Sequence, residues 1–406
     1  MAEPRIYLHI GAMKTGTTYL QGMLGSNRDA LSQAGYLFWG KTWEEQDHAV
    51  RDLLGRETDE RVLRLTRGAW PRMVDDLLAY DGPSVISMEF LSFLDPERAA
   101  RVVEDLSGAQ LHIILTVRSA ITAIPAQWQT HARNGGGLGW MKFLEGIEAF
   151  IADRDASSRG AKLFRRTQDI PRMLDTWVPL VGAERTHVVL TPPRSSDPDL
   201  LWKRFAQIIG VDPSIAAAAP NFDNSSLGHD SSELMRRINL GLGGEVRTDD
   251  YRYVGKAGLG RFILGQRVQI EPKVVLHRSA AEMAADWNRT VVESIKSQGV
   301  DLVGSLKEFP TRIGRRDHPA HPYFVDPPAM VAAADTAWEG LSALISRLHS
   351  LAGQEPEAVP PAPAWMQTDH PGNQAVHDVT ELTRSAMRLH RSLTADRRFT
   401  LDQLYC

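Results

Sequence analysis

Two glycines, a lysine and a run of hydroxyls stand together near the start of the chain, in Leu8-His9-Ile10-Gly11-Ala12-Met13-Lys14-Thr15-Gly16-Thr17-Thr18-Tyr19-Leu20-Gln21. A β-rich run enters a turn that carries a cation, and a helical pattern begins at the threonines. That arrangement suits an anion. The first helical turn offers N–H groups with no intrahelical partner, the helix dipole favours negative charge, and a glycine lets the ligand approach the backbone. Lys14 adds a point charge, and the hydroxyls of Thr17 and Thr18 add hydrogen-bond donors. The spacing is GxxKxGTT. The nucleoside-triphosphate loop, GxxxxGK[ST], puts its lysine after the second glycine with a magnesium-holding hydroxyl beside it. Here Lys14 precedes Gly16.

Two further groups stand where strands are expected to end. Arg118 closes Leu115-Thr116-Val117, and Glu89 follows Ser87-Met88. An always-charged arginine at a strand's carboxyl edge suits an anion.

The elements that must position these groups are legible as alternation. Apolar runs at 6–10, 84–88, 111–117 and 187–191 are separated by helical patterns, Thr18 to Leu31, Glu97 to Leu106, Ile121 to Arg133 and Asp199 to Ile209 among them. Strands spaced by helices predict βαβ units and a parallel sheet. The expected fold class is α/β, a central parallel sheet flanked by helices, with a mainly helical C-terminal extension. After Pro213 the pattern predicts helices at 231–242, 280–299, 329–351 and 378–393, the last with Asp378 as N-cap. Residues 241–265 read as loop and short helix, and residues 355–371 as a Pro-rich linker or strap.

Composition bounds the rest. The 406 residues allow one large α/β domain with an appendage, or two to three domains. A hydrophobic content of 43% and a charged content of 24% exclude wholesale disorder. A formal net charge of -4 argues against nucleic-acid binding through bulk positive charge. The single cysteine, Cys406, predicts no internal disulfide. No apolar run reaches the ~20 residues of a membrane span. No signal peptide is legible, and no cluster has metal-ligand spacing. The expectation is a cytoplasmic protein without a metal.

The loop resembles that of bacterial, actinobacterial-type sulfotransferases, which hold the 5′-phosphosulfate of 3′-phosphoadenosine-5′-phosphosulfate (PAPS). Met13 stands where many relatives have proline. The strand-end Arg118 with the helix after it resembles the family's 3′-phosphate segment, although Ala126 replaces the serine that completes this site in the cytosolic and Golgi enzymes. Gln127, or Thr122 one turn earlier, is the candidate substitute donor. Glu89 stands at the place where glycan-type members carry a glutamate base. Thr191-Pro192-Pro193-Arg194, Asp197 to Phe205, Asn224 to Gly228, Ala284 to Trp287 and Val300 to Leu306 also look similar, so the resemblance runs to about residue 310. It implies a sulfotransferase domain at 1–310 and a helical extension at 311–406, which is also the candidate surface for a homo-oligomer.

The activity implied is transfer of the sulfuryl group of PAPS to a hydroxyl of a small-molecule, glycan or lipid acceptor. Lys14 and Glu89 would be catalytic, and Lys14, Thr15, Gly16, Thr17, Thr18, Arg118 and Gln127 would bind the nucleotide. His48, Trp128 and His131 are acceptor-site candidates. Trp39, Trp43 and Trp140 would line an acceptor pocket or simply build core. Lys256 and Arg261 would close over the nucleotide or sit on a charged loop. A P-loop kinase or ATPase, and a non-catalytic binding protein on a degenerate fold, are the alternatives.

Overall fold

A computed structural model describes residues 4–55, 60–193, 196–219, 226–314, 317–355, 359–394 and 400–405. Arg194, Asn224, Ser225 and Cys406, singled out in the sequence, lie outside the described residues. Six strands form one sheet: β1 (Arg5–Gly11), β2 (Leu37–Phe38), β3 (Ser84–Ser87), β4 (Gln110–Val117), β5 (Thr186–Leu190) and β6 (Asp301–Val303). Their spatial order is β2-β3-β1-β4-β5-β6, and every neighbouring pair is parallel. Leu8 of β1 lies between Ile86 of β3 and Ile113 of β4. The strands are nearly continuous apolar runs because helices cover both faces of a parallel sheet. On one face the helices Thr17–Ser26 and Leu200–Ile209 bring Leu20, Leu24, Trp202 and Phe205 onto Tyr7, Ile114 and Val189. Each such fully buried side chain contributes roughly 1.5–3 kcal/mol of transfer free energy.

The chain passes from β3, on one side of β1, to β4 on the other. Strand order therefore reverses at β1, and the crevice beyond the carboxyl ends of β1 and β4 is where an open α/β sheet takes its ligand. Both short edge strands escape the sequence pattern.

Contacts divide the chain into two compact units. The first holds residues 1–123, 148–224 and 280–317, and with them the sheet. The second holds residues 124–147, 225–279 and 318–406 and is helical, built on His229–Leu242, Pro327–Leu351 and Pro371–Thr394 around Leu234, Ile238, Leu341, Leu344 and Val379.

Three local expectations are corrected. The helix predicted over 18–31 is two, Thr17–Ser26 and Arg28–Gln33. Asn27 separates them, its Nδ2 donating to Met23 O and its Oδ1 accepting from Ala218 N. Asp378 is no N-cap, since the helix starts at Pro371. Its carboxylate instead accepts from Trp365 Nε1 and Gln374 Nε2, each at 2.8 Å, so the Pro-rich strap is pinned by a buried indole. Residues 241–265 are largely helical rather than loop, including a wide π-helical stretch, Tyr251–Ile263. Tertiary bonds hold that stretch despite its glycines: Tyr251 Oη donates to Asn239 Oδ1 and Tyr405 Oη to Tyr253 O.

Candidate functional site: a loop whose carbonyls are engaged by the fold

The loop after β1 is built from unusual backbone. Gly11 has φ 79°, Gly16 has φ 94°, and Lys14 has φ 65°, the one positive φ outside glycine among the described residues. A left-handed lysine costs about 1–2 kcal/mol, and such strain persists where the surroundings enforce it. Both glycines are also demanded by space. A Cβ on Gly11 would lie 2.9 Å from Glu89 Cβ, and one on Gly16 would lie 2.4 Å from Leu201 Cδ2.

The surroundings enforce the loop through its carbonyls. Ala12 O accepts from Thr15 Oγ1 at 2.6 Å, Met13 O from Gln168 Nε2 at 2.6 Å, Lys14 O from an Arg118 guanidinium nitrogen at 3.4 Å, and Thr15 O from Thr191 Oγ1 at 2.6 Å. Four successive carbonyl oxygens are thus engaged away from the helix start. The helix Thr17–Ser26 begins at Gly16 with no side-chain cap and no acidic residue in its first turn. Its leading N–H groups and positive dipole end are therefore left for an external anion.

Beneath the loop lies a buried polar chain whose protons can be placed. Thr15 Oγ1 donates to Ala12 O, so the 2.6 Å contact to Thr116 Oγ1 must be donated by Thr116. Thr116 then accepts from His9 Nε2 at 3.1 Å, which leaves His9 Nδ1 to accept from Ser87 Oγ at 2.7 Å. His9 is a neutral imidazole. Complete burial lowers its pKa from 6.5 to about 3. Folding therefore excludes a proton that the unfolded chain takes up below about pH 6.5, and stability is lost as pH falls from there towards the folded value. The slope is about 1.4 kcal/mol per pH unit. Urea unfolding at pH 6.5 and 5.0 should show His9→Gln about 2 kcal/mol less acid-sensitive than the parent.

Glu89 opens a 3₁₀ turn, Glu89–Phe93, directly after β3, and is half-buried against Gly11. Its Oε2 accepts from Gln21 Nε2 at 2.9 Å, and the same amide donates to Ser87 O at 3.0 Å. A side chain of the loop's own helix thus fixes the carboxylate. Arg118 stands at the end of β4, and the strand end after it is pinned by the buried Asn288, whose Oδ1 accepts from Ala120 N and whose Nδ2 donates to Ser119 Oγ and Pro310 O.

Lys14, Thr15, Gly16, Thr17, Thr18, Glu89 and Arg118 are therefore brought to one end of the sheet. Thr15 is fully buried and spends its hydroxyl on Ala12 O and Thr116. Trp39 and His48 line a cleft of about 380 Å³, near which Trp43 stands exposed. Gln127, Trp128, His131, Trp140, Lys256 and Arg261 belong to the second unit. Gln127 is buried, with an Oε1 that has no partner among the described residues. Trp128 is fully buried, donates to Leu138 O and packs on Trp140, while His131 Nε2 accepts from Leu138 N. Lys256 is exposed, and Arg261 lies over the Phe262 ring.

Sequence reasoning missed Gln21, Gln168, Thr191 and Asn288 as positioning groups. Each is an ordinary polar residue whose partner is 22 or more positions away, so no local pattern marks it. Among the described residues no group of three or more His, Cys, Asp or Glu could hold a metal, and no helix is long and apolar enough to cross a membrane.

No protein-family model matches the chain, and no curated protein does. Among solved structures, a sulfotransferase from Alicyclobacillus acidocaldarius is similar at 18% identity, over 59% of this chain and 90% of that one, with a TM-score of 0.36.

Proposed function

We propose that this chain is a sulfotransferase that moves the sulfuryl group of PAPS to an acceptor hydroxyl. The observation that carries the reading is the uncapped helix start at Gly16, with Lys14 locked beside it and the Glu89 carboxylate against the same loop. The backbone N–H groups from Gly16 to Thr18 hold the 5′-phosphosulfate. Arg118 faces the 3′-phosphate, the group that distinguishes this donor from ordinary nucleotides.

In the transfer, the acceptor oxygen forms a bond to sulfur while the bond from sulfur to the bridging phosphate oxygen breaks. The electron pair leaves on that oxygen, giving adenosine 3′,5′-bisphosphate. Lys14 and the helix terminus neutralise the charge growing there, which is where preorganised donors act most strongly. Glu89 takes the hydroxyl proton. Gln21 keeps the carboxylate in place. Gln21→Met should lower kcat about ten- to hundred-fold with the donor KM unchanged, and steady-state kinetics checks it.

A thermal-shift experiment tests the donor assignment. Adenosine 3′,5′-bisphosphate without magnesium should raise Tm, and magnesium ATP should not. Stabilisation by magnesium ATP alone would instead make the chain a nucleoside-triphosphate enzyme. Incubation with labelled donor and an acceptor library, read by mass spectrometry, tests the transfer itself.

A further inference from the structure

The cleft of about 380 Å³ in the first unit is of ligand size and differs in kind from the larger one, of about 460 Å³, in the same unit. The charged groups of the larger cavity are occupied by the fold. Asp95 and Asp169 cap helices, Arg172 donates to Ser92 O and Leu94 O, and Arg154 lies over the Trp287 ring. The smaller cleft keeps its polar groups available. Among the described residues the side chains of His48, Arg72 and Asp75 make no hydrogen bond or ion pair. Glu45 accepts one bond from Lys41 N, and Asp76 one from Trp39 Nε1, which leaves lone pairs on both carboxylates.

We infer that this cleft binds the acceptor and selects a neutral or ammonium-bearing polyol over an acidic one; the inference deepens the sulfotransferase reading and rests on it. Trp39, half-buried and held by Asp76, offers an aromatic platform beside the exposed Leu65, which suits the apolar face of a sugar ring. The three carboxylates of Glu45, Asp75 and Asp76 face the one guanidinium of Arg72, a formal charge of -2 among these four groups. Sugar hydroxyls donate to these carboxylates, and an ammonium gains an ion pair and a ring face. A uronate or a sulfated acceptor meets repulsion here and again from the anionic donor.

The cleft is also tied to the reacting end of the sheet. Gln46 donates to Trp39 O at 2.7 Å and accepts from Ser87 N at 2.9 Å, and Ser87 O shares the Gln21 amide with Glu89.

The test uses octyl glucoside, octyl glucosaminide and octyl glucuronide below their micellar concentrations, with the full chain. Binding is read by saturation-transfer NMR, and transfer by labelled PAPS. The glucosaminide and glucoside should bind at least about ten-fold more tightly than the glucuronide, and Asp75→Arg on the protein surface should erase or invert that order. Trp39→Ala should weaken all three. No binding of any probe, tighter binding of the glucuronide, or an order unmoved by Asp75→Arg would overturn the inference. Binding in the expected order without labelled product would leave the cleft assigned and remove the sulfotransferase reading.

Discussion

Glu89→Gln should reduce sulfuryl transfer by about 10²- to 10⁴-fold, the range associated with a positioned general base. The substitution keeps the shape of the side chain and an oxygen able to accept from Gln21 Nε2, so the 3₁₀ turn after β3 and its contact with Gly11 have no reason to move. Affinity for adenosine 3′,5′-bisphosphate should stay within two- to three-fold, because Glu89 is assigned to the acceptor proton and not to the donor. Single-turnover kinetics with labelled PAPS separates these quantities. Transfer retained at a third or more of the parental rate would show that another group takes the proton.

Lys14→Gly should act in opposite directions on activity and stability. Lys14 is the non-glycine residue that the loop holds at φ 65°. Glycine adopts that conformation without penalty, so the variant should be more stable by about 0.5–1 kcal/mol after allowance for its greater freedom when unfolded. Transfer should meanwhile fall by about 10²- to 10³-fold, the cost of removing one donor at the site of developing charge. Urea denaturation and initial rates check the two halves. A more stable and inactive protein would mean that the strain is kept for function. Loss of stability together with activity would assign Lys14 a structural task.

The sheet's long strands and the anion loop were legible because several local signals coincide there. A β-rich run, two glycines, a lysine and a helix start fall within fourteen residues, and each needs only neighbouring chain to be interpreted. Glu89 and Arg118 were legible as strand ends for the same reason. What escaped depends on distant partners. Gln21 reads as one more polar position on the helix Thr17–Ser26, and its importance comes from Ser87 and Glu89, more than sixty residues on. The strands Leu37–Phe38 and Asp301–Val303 are too short for an alternating pattern to register. Residues 251–263 are glycine-rich and so fall in a stretch that reads as loop and short helix, yet long-range packing winds them into one continuous helical stretch. His9 belongs to both groups. It was visible as the residue before Ile10 and Gly11, but its neutral state follows only from hydrogen bonds to Thr116 and Ser87.

The same two short strands have a bearing on self-association. They are the outer members of the sheet, so a neighbouring copy meets only two residues of ladder on one side and three on the other. The long apolar strands, which would template cross-strand growth if laid open, all lie inward. Blunt borders of this kind leave little backbone for an intruding strand to pair with. A variant in which Leu37–Phe38 is extended by valines and threonines should accordingly be the form that fibrillates on storage.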